Sequence, residues 1–256
     1  MTETGTEPSR PRALVTGGAW RVGAAICRRL ALAGCDVTLT CNSRTREAEA
    51  LVDELTSLGT RATAHRLALE DEAALSAFTR SFGDTHDRLD VLVHNASTYF
   101  PCPLEDVTPE RALHDYRVNA LAPLLLTRDL APLLRSSTLD GGGSVIALLD
   151  IHILDRPRAR FAPYSMSKSA LHEMVRTLAR ELAPDVRVNA VAPGIVALPH
   201  EEFVEDAPWV DDYRARVPLQ RLGTPDEAAE AVRWLALDAT YTTGQVIRVD
   251  GGRWLA

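Results

Sequence analysis

Short apolar runs alternate along the chain with longer stretches in which apolar positions recur every three or four residues. The first run, "RALVTGG" (Arg12–Gly18), predicts a buried strand ending in glycines, and Val22, Ile26, Leu30 and Ala33 then share one helical face. "DVTLT" (Asp36–Thr40) alternates as a strand does. A helical pattern follows over Glu47–Leu58, a short strand near Arg61–Leu67, a helix from Asp71 to Ser81, and an apolar strand over Leu89–Ala96. Thr108 is placed to cap the next helix, with Pro109 in its first turn, where a missing N–H costs nothing. That helix is expected to run towards Leu134 despite Pro123. Beyond it the pattern predicts a strand over Gly143–Asp150, a long helix after Tyr164, and a strand over Asp185–Gly194. Thr224 and Glu227 form a capping box for a helix ending near Leu237, and Gly244–Gly252 closes the chain with a seventh strand.

Strand and helix alternate throughout, which specifies a mostly parallel sheet with helices on both faces. Residues 1–11 are polar and Pro-rich and read as a loose tail; residues 12–256 show no linker or repeat and read as one α/β domain.

Composition narrows the function. A net charge of −7 argues against nucleic acid as the main partner. No apolar run is long enough to span a bilayer, and no leader is evident, so a cytoplasmic protein is expected. Cys27, Cys35, Cys41 and Cys102 form no C-x-x-C pair and have no histidine at metal-like spacing; they are expected to be small core residues, with no metal site.

Three local patterns carry chemistry. "TGGAWRVG" (Thr16–Gly23) joins the first strand to the first helix, where small residues and a helix N-terminus suit a phosphate. Arg21 stands where glycine is usual, and its guanidinium could reach that phosphate. After the second strand an acidic residue would hold a ribose 2′-hydroxyl. The chain instead has Asn42, Ser43, Arg44 and Arg46 before the first carboxylate, Glu47, a set that suits a 2′-phosphate and hence NADP(H). Finally, "YSMSK" puts Tyr164 and Lys168 four residues apart on one helix face, where an ammonium would lower the phenol's pKa. That spacing alone is common by chance. Asp150 at the carboxyl end of the fifth strand and Asn119, a polar residue amid apolar neighbours, give it weight.

The ordered set "TGGAWRVG", "VHNAS", "RVNALAP", "YSMSK" and "VNAVAPG" resembles the short-chain dehydrogenase/reductases over residues 12–256. The resemblance implies a Rossmann domain, usually in a homotetramer, holding a nicotinamide cofactor. Gly17, Arg21, Val22, Asn95, Ala96, Ser97, Pro193 and Gly194 would join Asn42, Ser43 and Arg44 around it. Tyr164 would be the proton donor, Lys168 would bind the nicotinamide ribose and lower the phenol's pKa, and Asn119 would hold a relay water.

Within the family, Arg21, the Asn-Ser-Arg cluster, "NASTYFPCPLEDVT" and "DIHILDRPRARFAPYSMSK" are similar to the pteridine reductase branch. By that similarity Asp150 is catalytic, Tyr99 stacks on the substrate ring, and Ser97 bonds both the pterin and the cofactor phosphates. The implied activity is NADPH-dependent reduction of a pterin. The alternatives are reduction of a ketone or hydroxyl-bearing metabolite by the same residues, and a non-catalytic NADP sensor.

The chain departs from that branch at several positions. Asp150 precedes Tyr164 by fourteen residues, one more than usual, which leaves Asp155 as a rival carboxylate. Ala68 replaces an adenine-contacting Asp, His94 replaces an Asn, and Tyr99 replaces a Phe. The segment His200–Arg221 is expected to form a substrate lid, and Trp254 to pack at a subunit interface or in the core.

Overall fold

Parity along the strands decides the architecture. In Arg12–Thr16 (β1), Ala13 and Val15 point to one core and Leu14 to another. Asp36–Cys41 (β2) and Ala62–Arg66 (β3) precede Val91–His94 (β4), whose Val91 and Val93 oppose Leu92. In Gly143–Leu148 (β5), Ile146 and Leu148 face one side, Val145 and Ala147 the other. Successive side chains of a strand leave opposite faces, so strands apolar at every position must be covered on both.

The computed structural model describes residues 10–154, 156–198 and 208–255. With Val186–Pro193 (β6) and Val246–Val249 (β7) it forms one seven-stranded sheet in the order β3-β2-β1-β4-β5-β6-β7, and all six pairings are parallel. One core is closed by helices α1 (Arg21–Leu32), α2 (Thr45–Ser57) and Pro225–Leu237, which is α8. The other is closed by α3 (Glu72–Thr85), α5 (Ala122–Arg135) and α6 (Ala162–Glu181). Helices α4 (Pro109–Tyr116) and α7 (Pro208–Ala215) complete the set. The expected doubly wound α/β sheet is present. The chain turns one way after β1 and the other after β3, which opens a crevice at the carboxyl ends of β1 and β4.

Local chemistry sets the helix ends. Asp71 caps α3 by accepting from the N–H groups of Ala73 and Ala74. Thr108 caps α4, and Thr224 with Glu227 makes the expected capping box on α8. At the far end of α8, buried Arg187 of β6 donates to the carbonyls of Leu235, Ala236 and Ala239, supplying donors to a helix terminus that has none of its own.

Three sequence expectations change. The helix from Thr108 is not one continuous α-helix: residues Arg117–Leu121 form a π turn between α4 and α5. Pro123 has no N–H to offer the carbonyl of Asn119 four residues earlier, so the ladder must break there. Helix α6 starts at Ala162, so Tyr164 sits inside its first turn rather than before it. Helix α3 runs on to Thr85, past Ser81.

The four cysteines are buried, free thiols, and among the described residues no group of side chains could hold a metal. No described helix is long and apolar enough to cross a membrane. Residues 1–9 of the expected tail, Asp155, and residues 200–207 of the expected lid lie outside the described residues. Trp254 is half-buried, with the Arg248 guanidinium 3.9 Å over its ring.

Candidate active site

The glycine turn closes one end of a cavity of about 420 Å³ at the carboxyl ends of β1 and β2. Gly17 has φ +62°, and a Cβ there would lie 2.9 Å from the Ala96 Cα. At Gly23 a Cβ would fall 2.1 Å from the Gly17 carbonyl oxygen. Both positions therefore exclude side chains, which keeps backbone N–H groups and the α1 N-terminus open to an anion. Asn95 ties the turn down, donating from Nδ2 to the carbonyls of Thr16 and Gly17 at 3.1 and 2.9 Å. Arg21 occupies the left-handed region at φ +49°, a conformation that glycine adopts without strain.

Gly17, Arg21, Val22, Asn42, Ser43, Arg44, Asn95, Ala96 and Ser97 all line this cavity. The Arg44 guanidinium lies 4.2 Å over the Trp20 ring and donates to Glu47 at 2.8 Å. The first carboxylate after β2 is thus engaged by an arginine. Ala68 is absent from the lining, but its neighbours Leu67 and Leu69 are present. Trp20 and Glu70 also line it and were not among the expected residues. An aromatic inside the glycine turn was a visible signal for Trp20; Glu70 had none.

Pro193, Gly194, Asp150, Tyr164 and Lys168 belong to the rim made by the ends of β5 and β6. Asp150 is held on both oxygens: Oδ1 accepts from the His152 N–H at 2.8 Å, and Oδ2 accepts from the Tyr164 hydroxyl at 3.0 Å. Lys168 is buried and donates from Nζ to the Leu148 carbonyl, the last of β5, at 2.7 Å. Burial lowers its pKa to about 8, opposed by the Asp150 charge. The expectation that Lys168 depresses the phenol's pKa does not describe the protein by itself. Tyr164 is pushed well above the ordinary phenol value, first by burial and then by the Asp150 carboxylate. Asp150 is therefore the charged group whose influence on Tyr164 is resolved most strongly.

Tyr99 stands edge-on to Tyr164, with ring centroids 4.9 Å apart, and is stacked on Phe161 at 4.9 Å. Phe161 covers one of its faces, so only the other is left for a substrate ring. The Tyr99 hydroxyl accepts from Arg158.

Asn119, fully buried in the π turn, spends its side chain on anchoring. Its Oδ1 accepts from the Thr98 N–H and the Ser97 hydroxyl; its Nδ2 donates to the Thr98 carbonyl and Ser167 Oγ. It locks the loop after β4 to α6. Ser167, between Tyr164 and Lys168, was missed as that anchor. His94, also buried, shares a 2.8 Å hydrogen bond with Thr127. Burial, with the Lys168 charge, holds its pKa down at about 3, so it is a neutral neighbour of the ammonium.

An α/β sheet with a glycine turn, an anion-ready cleft and an adjoining acid–base group defines a nucleotide-dependent oxidoreductase. The family model described as enoyl-(acyl carrier protein) reductase matches residues 17–253. The chain is 36% identical to an uncharacterized oxidoreductase of Methylorubrum extorquens, over 94% of this chain and 96% of the relative. It is 31% identical to pteridine reductase 1 of Leishmania tarentolae, over 96% and 97% respectively. Mammalian members of the dehydrogenase/reductase SDR family match at 33% identity. A blue fluorescent protein from a metagenomic library, solved with NADPH, superposes with a TM-score of 0.85 at 33% identity, covering 95% of this chain and 97% of its own. The chain belongs to the short-chain dehydrogenase/reductase family.

Proposed function

We propose that this protein is an NADPH-dependent reductase of pterins, acting on a C=N bond. The observation that carries it is the hydrogen bond from Tyr164 to Asp150 at the mouth of β5, with Lys168 and Tyr99 beside it. The similarity to pteridine reductase 1 across nearly the whole chain supports the substrate class, and Ser43 and Arg44 on the cleft support a 2′-phosphate.

The glycine turn and Arg44 would hold NADPH, which would supply the hydride. The balancing proton comes from the Tyr164 hydroxyl to the substrate nitrogen. A phenolate left against the Asp150 carboxylate is costly, since like charges disfavour each other in a buried site. Tyr164 therefore gives its proton to the substrate nitrogen while a proton from solvent is relayed to it by way of Asp150, which is a carboxylate before and after the step. Tyr164 is the proton donor, Asp150 the carboxylate that orients and re-supplies it, and Lys168 the cation on the same rim. With its side chain committed, Asn119 contributes to a water relay through its main-chain carbonyl, which lacks an α-helical donor. The exposed apolar residues Leu113, Tyr116 and Leu124 on α4 and α5 support association, in keeping with a homotetramer.

NADPH oxidation followed across dihydrobiopterin, quinonoid dihydropterin, dihydrofolate and a panel of ketones tests the assignment. Pterins are expected to exceed the best ketone in kcat/KM by about tenfold or more. Ketone reduction without pterin reduction replaces the substrate class, and NADPH binding without turnover of any substrate rejects catalysis.

A further inference from the structure

Beyond the acid–base cluster lies a second cavity of about 490 Å³ that the chemistry above leaves unused. Its lining brings four arginines together: Arg156 and Arg158 from the segment before α6, Arg216 just past α7, and Arg253 near the C-terminus. Asp212 is the one carboxylate among the described lining residues. Among the described residues no carboxylate lies at ion-pair distance from Arg156, Arg158 or Arg216, although twelve other arginines pair with one. The Arg216 side chain donates to the Asp212 main-chain carbonyl. Arg253 is buried, and its pKa is lowered by burial and by the charges of Arg216 and Arg156. Four guanidinium groups thus share one cavity, three of them without an ion pair among the described residues, an arrangement that costs stability unless a ligand uses it.

The cavity adjoins the reacting groups. Arg158 donates to the Tyr99 hydroxyl, with its guanidinium 4.6 Å from the Phe161 ring centroid. His152, on the lining, donates its N–H to Asp150 and shares a hydrogen bond with the Arg156 carbonyl at 2.9 Å. Tyr213, also on the lining, bonds the Ile195 N–H at the end of β6. A molecule whose reacting bond meets Tyr164 would therefore extend its far end among the arginines, where planar guanidinium groups suit carboxylate or phosphate oxygens.

Building on the reductase reading of the Tyr164 site, we infer that the substrate carries an acidic tail, a carboxylate or phosphate, seated by Arg156, Arg158, Arg216 and Arg253. The neutral form of the same substrate reacts but binds poorly.

Matched pairs test this in wild type and in the Arg156→Gln/Arg216→Gln double variant. The pairs are dihydrofolate and its dimethyl ester, a phosphorylated hydroxymethyl-dihydropterin and its free alcohol, and a keto acid and its methyl ester. In wild type the acidic member is expected to have a KM lower by about tenfold or more, and the double variant to erase that gap with kcat and the ester's KM unchanged. The first two pairs separate carboxylate from phosphate. Equal KM within every pair in wild type, or a gap that survives the double variant, overturns the subsite. A charge effect confined to the keto acid pair keeps the subsite and removes the pterin assignment; neutral and acidic pterins reduced alike do the reverse. Should no pair turn over, thermal unfolding of the NADP⁺-saturated protein decides. Inorganic phosphate at fixed ionic strength should raise Tm in wild type and not in the double variant, and equal shifts overturn the inference.

Discussion

Tyr164 donates its hydroxyl proton to Asp150 Oδ2 at 3.0 Å, across fourteen residues of sequence and from one element to the next. Tyr164→Phe removes the proton donor and is expected to lower kcat by about a hundredfold or more while leaving NADPH affinity nearly intact. Asp150→Asn keeps an acceptor for the hydroxyl but cannot relay a proton to it, so kcat should fall by about tenfold or more with KM little changed. Single-turnover rates measure both, and a Tyr164→Phe protein with wild-type turnover would exclude the mechanism.

A pH dependence follows from Lys168. Its pKa is lowered to about 8, so the ammonium is largely charged at pH 7 and is lost as pH rises through 8. The kcat/KM for NADPH reports the free enzyme and should decline above an apparent pKa near 8. Lys168→Arg, which stays charged, should flatten that limb. A profile level up to pH 10 in wild type would separate Lys168 from cofactor capture.

Arg21 is expected to couple strain to binding. Replacing it with Gly relieves a left-handed side-chain-bearing residue but makes the unfolded chain more flexible, so the net change in stability should stay within about 1 kcal/mol. NADPH affinity should weaken by about tenfold as a phosphate contact disappears. Denaturant melts and cofactor titration separate the two effects; unchanged affinity would make Arg21 a conformational relic.

Cofactor choice is expected to rest on Arg44. Arg44→Ala also ends its contact with Trp20 and its ion pair with Glu47, and should lower the NADPH/NADH ratio of kcat/KM by about tenfold or more. A wild-type ratio at or below one would reject the preference for NADPH outright.

Helix α8 offers a check on the fold alone. Thr224→Ala removes one half of its capping box and should cost about 1 kcal/mol in a denaturant melt, with kinetics unaffected.

The sheet was legible because its strands are short, its central ones largely apolar, and amphipathic helices separate them, a pattern that calls for cover on both faces. Asp150 and Tyr164 were legible as a pair because one closely follows a strand and the other lies in the first turn of a helix at the same rim. The π turn was not, although Pro123 announced that the ladder breaks: proline marks a missing donor without saying how the backbone adjusts. The rise in the phenol's pKa was also hidden. Sequence spacing puts Lys168 on the right helical face, yet a side chain's reach is settled by what it bonds, and Lys168 bonds the Leu148 carbonyl. Ser167 and the arginine-lined cavity escaped for the same reason, since their partners come from elements far apart in the chain.

Because all strand pairings run one way, the chemistry is confined to one rim, and the opposite rim is open to engineering. The turns at Gly34 and Gly59, with nothing within 4 Å of an added Cβ, and the fully exposed Tyr241 all lie where strands begin rather than end. A dye, an affinity tag or an inserted sensor module grafted at those turns would ride on the scaffold without meeting the nucleotide cleft, which makes this half of the molecule the natural handle for immobilisation and reporter fusions.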